Sequence, residues 1–318
     1  VLYEGSPFYP NKDSLLEIVD ENNIDIFGTS AKYISYIQSE KLSLINKFKF
    51  KSLKTILSTG SALTNDNFQY IVENIKNNVQ ISSISGGTDI ISCFALGNPI
   101  VNVVSGELQC LGLGMDVASF DSNGNPVKNK KGELVCRKPF PSMPICFLND
   151  SNGEKYFKSY FAKYENIWTH GDFIKINNNG GAVIYGRSDA TLNPGGIRIG
   201  TSEIYSAIEG LNFLEDSIAV NLVKSDSYIL FVKLSNCLSL DNDIVSEIKN
   251  SIKINLSPKH VPANIFSVTD IPYTINGKKV EIAVKNIVNG EEVENIDSIS
   301  NSECLNEFST IMKKNRQT

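Results

Sequence analysis

Histidine is scarce in this sequence, and its scarcity narrows the possible chemistry. His170 and His260 are the only two in 318 residues, which leaves little material for a serine or cysteine triad or a multi-histidine metal centre. Cysteine is scattered: Cys93, Cys110, Cys136, Cys146, Cys237 and Cys304 lie far apart with no CxxC pair. Neither a disulfide framework nor a zinc site is suggested, and buried free thiols are expected. No apolar run reaches the ~18–20 residues of a membrane-crossing helix. The first residues lack the basic-then-apolar order of a signal peptide. The net charge of -5 is spread without a continuous basic stripe, so a nucleic-acid backbone has no matching surface. These absences leave a cytoplasmic globular protein that engages neither nucleic acid nor membrane as the expectation.

What is present is enough apolar residue for a full core, 41% hydrophobic against 20% charged, in a length that suggests about two domains. The opening Val1 to Pro10 (VLYEGSPFYP) reads as the interior of a folded domain, so a preceding segment is expected.

From Asp13 to Ser85 apolar runs alternate with amphipathic stretches. Asp13 or Ser14 can cap a helix carrying Leu15, Leu16, Ile18 and Val19, followed by a strand over Ile24 to Phe27. A helix from Ala31, a strand Leu53 to Leu57, a helix opened by Thr64 with Phe68, Ile71, Val72 and Ile75 on one face, and a strand Val79 to Ile84 repeat the pattern. Such alternation predicts a parallel sheet with crossover helices. Between Gly106 and Gly186 short strands punctuated by Asn123-Gly124, Lys131-Gly132 and Gly180-Gly181 predict an antiparallel β-rich subdomain. After Asp189 the pattern is α+β: a helix capped at Thr201, strands Ile218 to Val223 and Ile229 to Leu234, a helix after Asp241, a strand near Ile265 to Val268 and a closing helix from Val280. The fold class expected is therefore α/β. Residues 1–188 form part of a large domain (a parallel α/β sheet plus a β-rich subdomain), and residues 189–318 a small α+β domain.

Two motifs are set aside. Gly112-Leu113-Gly114 belongs to a partial GxGxxG, but that fingerprint must open a helix, and here a strand-like Val117 to Phe120 follows. Asp121 to Asn125 resembles the start of a calcium loop without its bidentate acid, so a hairpin turn is expected. Four stretches remain, each combining small residues with a charge. Ser82 to Asp89 (SSISGGTD) follows a predicted parallel strand, where its glycines admit a phosphate, Thr88 offers a hydroxyl and Asp89 is a hard oxygen ligand suited to Mg²⁺. Trp168 to Asp172 (WTHGD) ends a predicted strand with an acid on a turn, fit to accept two ribose hydroxyls. Tyr185 to Tyr205 holds Arg187 and Arg198, whose guanidinium forks match phosphate and carboxylate oxygens, around a run of glycines. Pro272 to Lys279 (PYTINGKK) presents a lysine just after a glycine. Taken singly, Ser82 to Asp89 reads more readily as an ordinary Gly-rich turn, Trp168 to Asp172 is a weak signal, and generic turn chemistry explains Pro272 to Lys279 equally well.

In this order and spacing the four stretches resemble the motifs of the adenylate-forming acyl-CoA synthetase superfamily. The segments GSPFYP, IFGTSAKY, LSTGSAL, SISGGTDIISCFALGNP, GELVCRKPFPSMP, GRSDATLNPGGIRIGTSEIY, LSPKHVP and NGKKVE extend the resemblance over essentially the whole chain. It implies that Gly60, Ser61 and Ala62 line an adenine. Ser61 stands where acetate-specific relatives carry an acid. It further implies that Thr88 and Asp89 meet the α-phosphate and Mg²⁺, with Asp in place of the commoner Glu. Asp172 and Arg187 would hold the ribose, Asp189 would be the hinge between domains, and Arg198 would contact phosphate. Gly195 and Gly196 would face a pantetheine tunnel, Lys278 would be the catalytic lysine, and Lys253 would lie near the CoA nucleotide. Gly86 and Gly87 would line the acyl pocket. At the Gly86 position acetate-specific relatives close the pocket with a tryptophan, so glycine leaves room for a longer acid such as acetoacetate.

The activity implied has two halves. A carboxylate attacks the α-phosphorus of ATP and pyrophosphate leaves, with Mg²⁺ and Lys278 neutralising charge on the transferring group. The small domain then swings about Asp189, and the thiol of coenzyme A takes the acyl group. The Ser/Thr/Gly-rich phosphate loop of the superfamily does not occur in these residues and is expected upstream. The chain therefore reads as the carboxyl-terminal portion of such a ligase, a fragment or a truncated product. The alternatives are a binding-only remnant or a ligase for another short or medium-chain acid.

Overall fold

The computed structural model describes residues 1–188, 192, 199–222, 227–235, 238–275, 277–293 and 296–315. They fall into two units, Val1–Ile184 and Tyr185–Thr318.

The first unit begins with alternating helices and strands. Helix α1 (Ser14–Glu21) buries Leu16 and Val19, and Asn23, at φ +52°, ends it by a left-handed step. The Ile24 amide then donates back to the Val19 carbonyl at 3.0 Å. That bond makes Ile24 part of the helix end, so strand β1 runs over Ile26–Ser30, later than the apolar run suggested. Helix α2 (Ala31–Ser39) is capped by Ser30, whose hydroxyl accepts from the Tyr33 amide at 3.1 Å. Strand β2 (Thr55–Thr59) also starts two residues later than its apolar run, after a turn around Phe50. Helix α3 (Asn65–Tyr70) opens with a reciprocal cap between Thr64 and Asn67 and continues as a π-type turn over Ile71–Ile75. Strand β3 (Gln80–Ser83) completes the set.

β1, β2 and β3 pair parallel, Ile26 opposite Thr55 and Thr55 opposite Gln80. This is the sheet that the alternation predicts. Phe27, Ile34, Ile56, Phe68, Ile71 and Ile81 form its core, each buried side chain contributing about 1.5–3 kcal/mol.

The chain then turns antiparallel. Strands β4 (Ser85–Gly87), β5 (Ser92–Leu96) and β6 (Cys110–Leu111) form one sheet. A second contains β7 (Val117–Phe120), β8 (Pro126–Val127), β9 (Gly132–Cys136), β10 (Trp168–Ile176) and β11 (Ala182–Arg187), in the order β11-β10-β9-β7-β8. The hairpin between β7 and β8 turns at Gly124 (φ +80°), with Asp121 Oδ1 accepting the amides of Asn123 and Asn125 at 2.9 Å each. No helix opens at Gly112, in keeping with its rejection as a dinucleotide motif. A short helix α4 (Glu154–Tyr160) interrupts the β-rich region. An aromatic cluster binds these parts: Phe94 meets Phe140 edge-on, Phe140 meets Trp168 edge-on, and Tyr160 stacks on Trp168 with centroids 3.7 Å apart.

In the second unit β12 (Leu214–Asn221) pairs antiparallel with β13 (Tyr228–Leu234), and β13 pairs parallel with β14 (Asn264–Ser267). Both faces are covered, which explains the unbroken apolar run of β13. Leu230 and Val232 pack with helices α5 (Thr201–Ile208) and α6 (Asn242–Asn255). Ile229 and Phe231 pack with α7 (Glu281–Asn289) and α8 (Leu305–Asn315). Sequence reasoning closed the chain at α7 and missed α8, although Leu305, Phe308 and Met312 recur at helical spacing and are buried. Among the described residues no helix is long and apolar enough to cross a membrane.

Candidate active site

The parallel register of β2 and β3 brings two candidate loops to one end of the sheet. The Ile84 amide donates to the Ser58 carbonyl at 2.8 Å, and Thr59 Oγ1 donates to the Ile84 carbonyl at 3.1 Å. The exits of the two strands are thereby tied together. Gly60, Ser61 and Ala62 leave β2 exposed, and Gly60 sits at φ +92°, where a side chain would be strained. β3 leads through Ile84 into β4 and the turn carrying Thr88 and Asp89. Strand carboxyl ends are where open α/β sheets take ligands.

Gly86 and Gly87 are both constrained, for different reasons. A Cβ at Gly86 would lie 2.1 Å from the Ser92 carbonyl oxygen and 2.9 Å from Cys93 Cα, so β4 lies against the backbone of β5 there. The missing side chain is a requirement of the hairpin. At Gly87 a Cβ would lie 2.0 Å from Asp89 Oδ1 and 3.2 Å from His170 Cε1. Asp89 and His170 thus converge on one glycine.

Asp89 is the better-defined of the candidate acids. Its Oδ2 accepts from the Tyr160 hydroxyl at 2.7 Å and its Oδ1 from the Ile90 amide at 3.1 Å. A carboxylate has about four lone-pair sites, so these bonds leave capacity for a cation. Among the described residues no group of three or more His, Cys, Asp or Glu side chains could hold a metal ion. A divalent cation at Asp89 would take its other ligands from phosphate and water, as Mg²⁺ commonly does.

Asp172 was expected on a turn ending a strand. Instead β10 continues to Ile176, and His170 to Asp172 form a bulge within it: the pairing with β9 shifts register between Thr169 and Phe173, and Gly171 takes φ +82°. Burial of Phe173, Ile174 and Ile176 carries the strand on, while the glycine allows the step that re-aims the acid. His170 Nε2 lies 3.7 Å from Asp172 Oδ2, and the His170 ring packs edge-on to Phe94 at 4.8 Å. The structure therefore gathers Gly87, Asp89, Tyr160 and His170, with Asp172 beside the histidine. Tyr160 and His170 were missed by sequence reasoning. Tyr160 lies 71 positions from Asp89, and no local pattern signals its partner.

In the second unit Gly186 stands at φ +87° and Arg187, the last residue of β11, is exposed. Asp189, Gly195, Gly196 and Arg198 lie outside the described residues. Thr201, expected as a helix cap, is the first residue of α5. The free amide at the cap position, Gly200, donates instead to Glu203 Oε1 at 3.0 Å. Lys253 is exposed in the last turn of α6. Lys278 sits in a tight loop closed by a bridge between Tyr273 and Lys279. The Thr274 amide donates to the Lys278 carbonyl at 2.8 Å, the Lys278 amide to Thr274 Oγ1 at 3.1 Å, and Gly277 takes φ +75°. The loop leaves Lys278 exposed.

No protein-family model matches the chain. The acetoacetyl-coenzyme A synthetase of Rhizobium meliloti (strain 1021) is 45% identical over 309 residues, 96% of this chain and 48% of the relative. The Gallus gallus acetoacetyl-CoA synthetase is 45% identical over 315 residues, 98% of this chain and 47% of the relative. The solved structure of acetoacetyl-CoA synthetase from Streptomyces lividans superposes with a TM-score of 0.92 at 37% identity, covering 99% of this chain and 49% of that one. The chain is homologous to about half of an acetoacetyl-CoA synthetase. It spans about half the length of the curated relatives it matches. Adenylate-forming acyl-CoA synthetases in general use ATP, coenzyme A and Mg²⁺, and the mixed α/β architecture is theirs.

Proposed function

We propose that this chain takes part in the ATP-dependent ligation of acetoacetate to coenzyme A through an acetoacetyl-adenylate, giving acetoacetyl-CoA, AMP and pyrophosphate. The observation that carries the reading is the match, over nearly the whole chain, to relatives named for that product. The placement of Asp89 and His170 against Gly87, with the Tyr160 hydroxyl bonded to Asp89, supports it, because it sets a carboxylate and a hydroxyl in a partly buried setting beside two strand exits.

In this reading Gly60, Ser61 and Ala62 lie along the adenine, Asp172 accepts from the ribose hydroxyls and Arg187 donates to the ribose oxygens. Thr88 donates its hydroxyl to the α-phosphate, Asp89 holds Mg²⁺, and Arg198 contacts phosphate. The acetoacetate carboxylate attacks the α-phosphorus, the bond to pyrophosphate breaks, and the Lys278 ammonium stabilises charge on the transferring group. In the second half the coenzyme A thiol, losing its proton, attacks the acyl carbonyl and AMP leaves. Gly195, Gly196 and Lys253 serve coenzyme A, Asp189 is the pivot between halves, and Gly86 and Gly87 leave room for the longer acid. Residues 1–188 would be part of the adenylation domain and 189–318 the mobile domain, acting in the cytoplasm.

The test is acetoacetate-dependent exchange of labelled pyrophosphate into ATP. The reading expects exchange that falls at least ~10²-fold in Lys278→Ala. A chain that binds AMP yet exchanges nothing would instead be a binding-only protein, the alternative that coverage of only half the relatives' length keeps open.

A further inference from the structure

The two adjacent lysines of the NGKK loop have opposite surroundings. Lys278 is exposed. The ammonium of Lys279 donates to Asp216 Oδ1 at 2.7 Å and to the Ser217 carbonyl at 2.7 Å, and lies 4.0 Å from the centre of the Tyr205 ring. Carboxylate, carbonyl and aromatic face between them account for its three N–H bonds. Asp216 is shared: its Oδ2 accepts from the Tyr273 hydroxyl. Tyr273 and Lys279 are the two residues that close the loop by their backbone bridge, so one carboxylate on β12 grips both ends of the loop that carries Lys278.

The same network reaches the Gly-rich motif. Glu281, the first residue of α7, accepts at Oε1 from Thr201 Oγ1 at 3.4 Å and from the Tyr205 hydroxyl at 3.3 Å. The Tyr205 oxygen itself accepts the Ala219 amide at 3.1 Å. Two motifs separated by 76–80 positions are therefore joined by side chains.

We propose that Lys279 is a positioning residue: gripped by Asp216 and the Tyr205 ring, it fixes the loop that presents Lys278 and couples that loop to the Thr201–Tyr205 segment. This rests on the reading that Lys278 acts on the transferring phosphoryl group. The pair is only 21% and 22% exposed at its side chains, so water competes weakly for it.

Two measurements test it, the first independent of activity. Amine labelling of the folded chain, followed by peptide mass spectrometry, should modify Lys278 about tenfold or more faster than Lys279, since hydrogen bonds to a charged partner protect the latter. Asp216→Asn should abolish most of that contrast. Equal labelling in the unaltered chain would overturn the clamp. The second measures the half-reactions separately. Lys279→Met should slow acetoacetate-dependent pyrophosphate exchange about 10²-fold, the scale of a small misplacement, while thioester formation from supplied acetoacetyl-adenylate stays within about threefold. Lys279→Arg, which can still engage the carboxylate, should recover most of the exchange. An unchanged exchange rate, or an equal loss in both half-reactions, would overturn the positioning role. If Lys279→Met does not fold, Tyr273→Phe removes the other grip on Asp216 and is judged by the same split. If Lys278→Met leaves exchange intact, the functional reading fails, and labelling alone decides whether the clamp exists.

Discussion

A methyl group added at Gly86 or at Gly87 meets a different fate, and the contrast tests how the turn carrying Asp89 is built. At Gly86 the new carbon would stand 2.1 Å from a backbone carbonyl oxygen of β5 and 2.9 Å from a neighbouring Cα. Neither atom can move unless the β4–β5 pairing opens. Overpacking of this kind costs about 1–3 kcal/mol, which in a unit of this size lowers Tm by roughly 2–12 °C. At Gly87 the obstruction is the Asp89 carboxylate at 2.0 Å, the mobile end of a side chain. Rotation away relieves it, at the expense of the Tyr160 hydrogen bond. Gly87→Ala should therefore lower Tm by less than half as much as Gly86→Ala, yet impair exchange more per degree lost, and the impairment should deepen as Mg²⁺ is made limiting. Thermal unfolding followed by circular dichroism, with exchange measured at two Mg²⁺ concentrations, decides the matter. A Gly86→Ala protein with unchanged Tm would refute the account of that hairpin. The geometry also means that Gly86→Trp is a poor test of acyl specificity, because it disrupts the strand pair before it fills any pocket.

Three further outcomes are expected. Tyr160→Phe keeps the stack on Trp168 but removes the hydroxyl from Asp89, and should slow exchange about tenfold, the scale of one hydrogen bond to a charged group; an unchanged rate would remove Tyr160 from the site. Lys163→Ala deletes the ammonium 2.5 Å from Glu133, whose side chain is 2% exposed, and should cost about 1–3 kcal/mol in urea unfolding, with an effect below ~0.5 kcal/mol counting against the pair. Burial pushes the Glu281 carboxyl up against the opposing pull of its own amide and of Lys279. The folded state then binds the Glu281 proton more tightly than the unfolded chain does, so its contribution to stability is present below the unfolded value of about 4.3 and is lost as pH rises through the raised folded value. Glu281→Gln should flatten that decline in a stability-against-pH series, and an unchanged slope would contradict the assignment.

The fold was legible where local chemistry and packing agree. The Thr64–Asn67 cap, the parallel strands and the hairpin at Gly124 follow from residue types and their spacing. Strand starts were misread where a helix end borrowed an apolar residue, as Ile24 shows by bonding back to Val19. The bulge at His170 to Asp172 was hidden because Gly171 looks like a strand terminator, and only the burial of Phe173 and Ile174 shows that the strand resumes. The site was legible as motifs but not as contacts. Nothing near Asp89 announces Tyr160, and nothing in Lys278-Lys279 says which lysine is anchored. Both answers come from tertiary neighbours more than 60 positions away.

The central claim is tested most directly by joining the chain to the half of an acetoacetyl-CoA synthetase that it does not match, incubating the joined protein with acetoacetate, ATP, Mg²⁺ and coenzyme A, and quantifying the products by mass spectrometry. The account predicts acetoacetyl-CoA and AMP in equal amounts, both lost in Lys278→Ala. ADP in place of AMP, or no thioester from a chain that still binds adenylate, would contradict it.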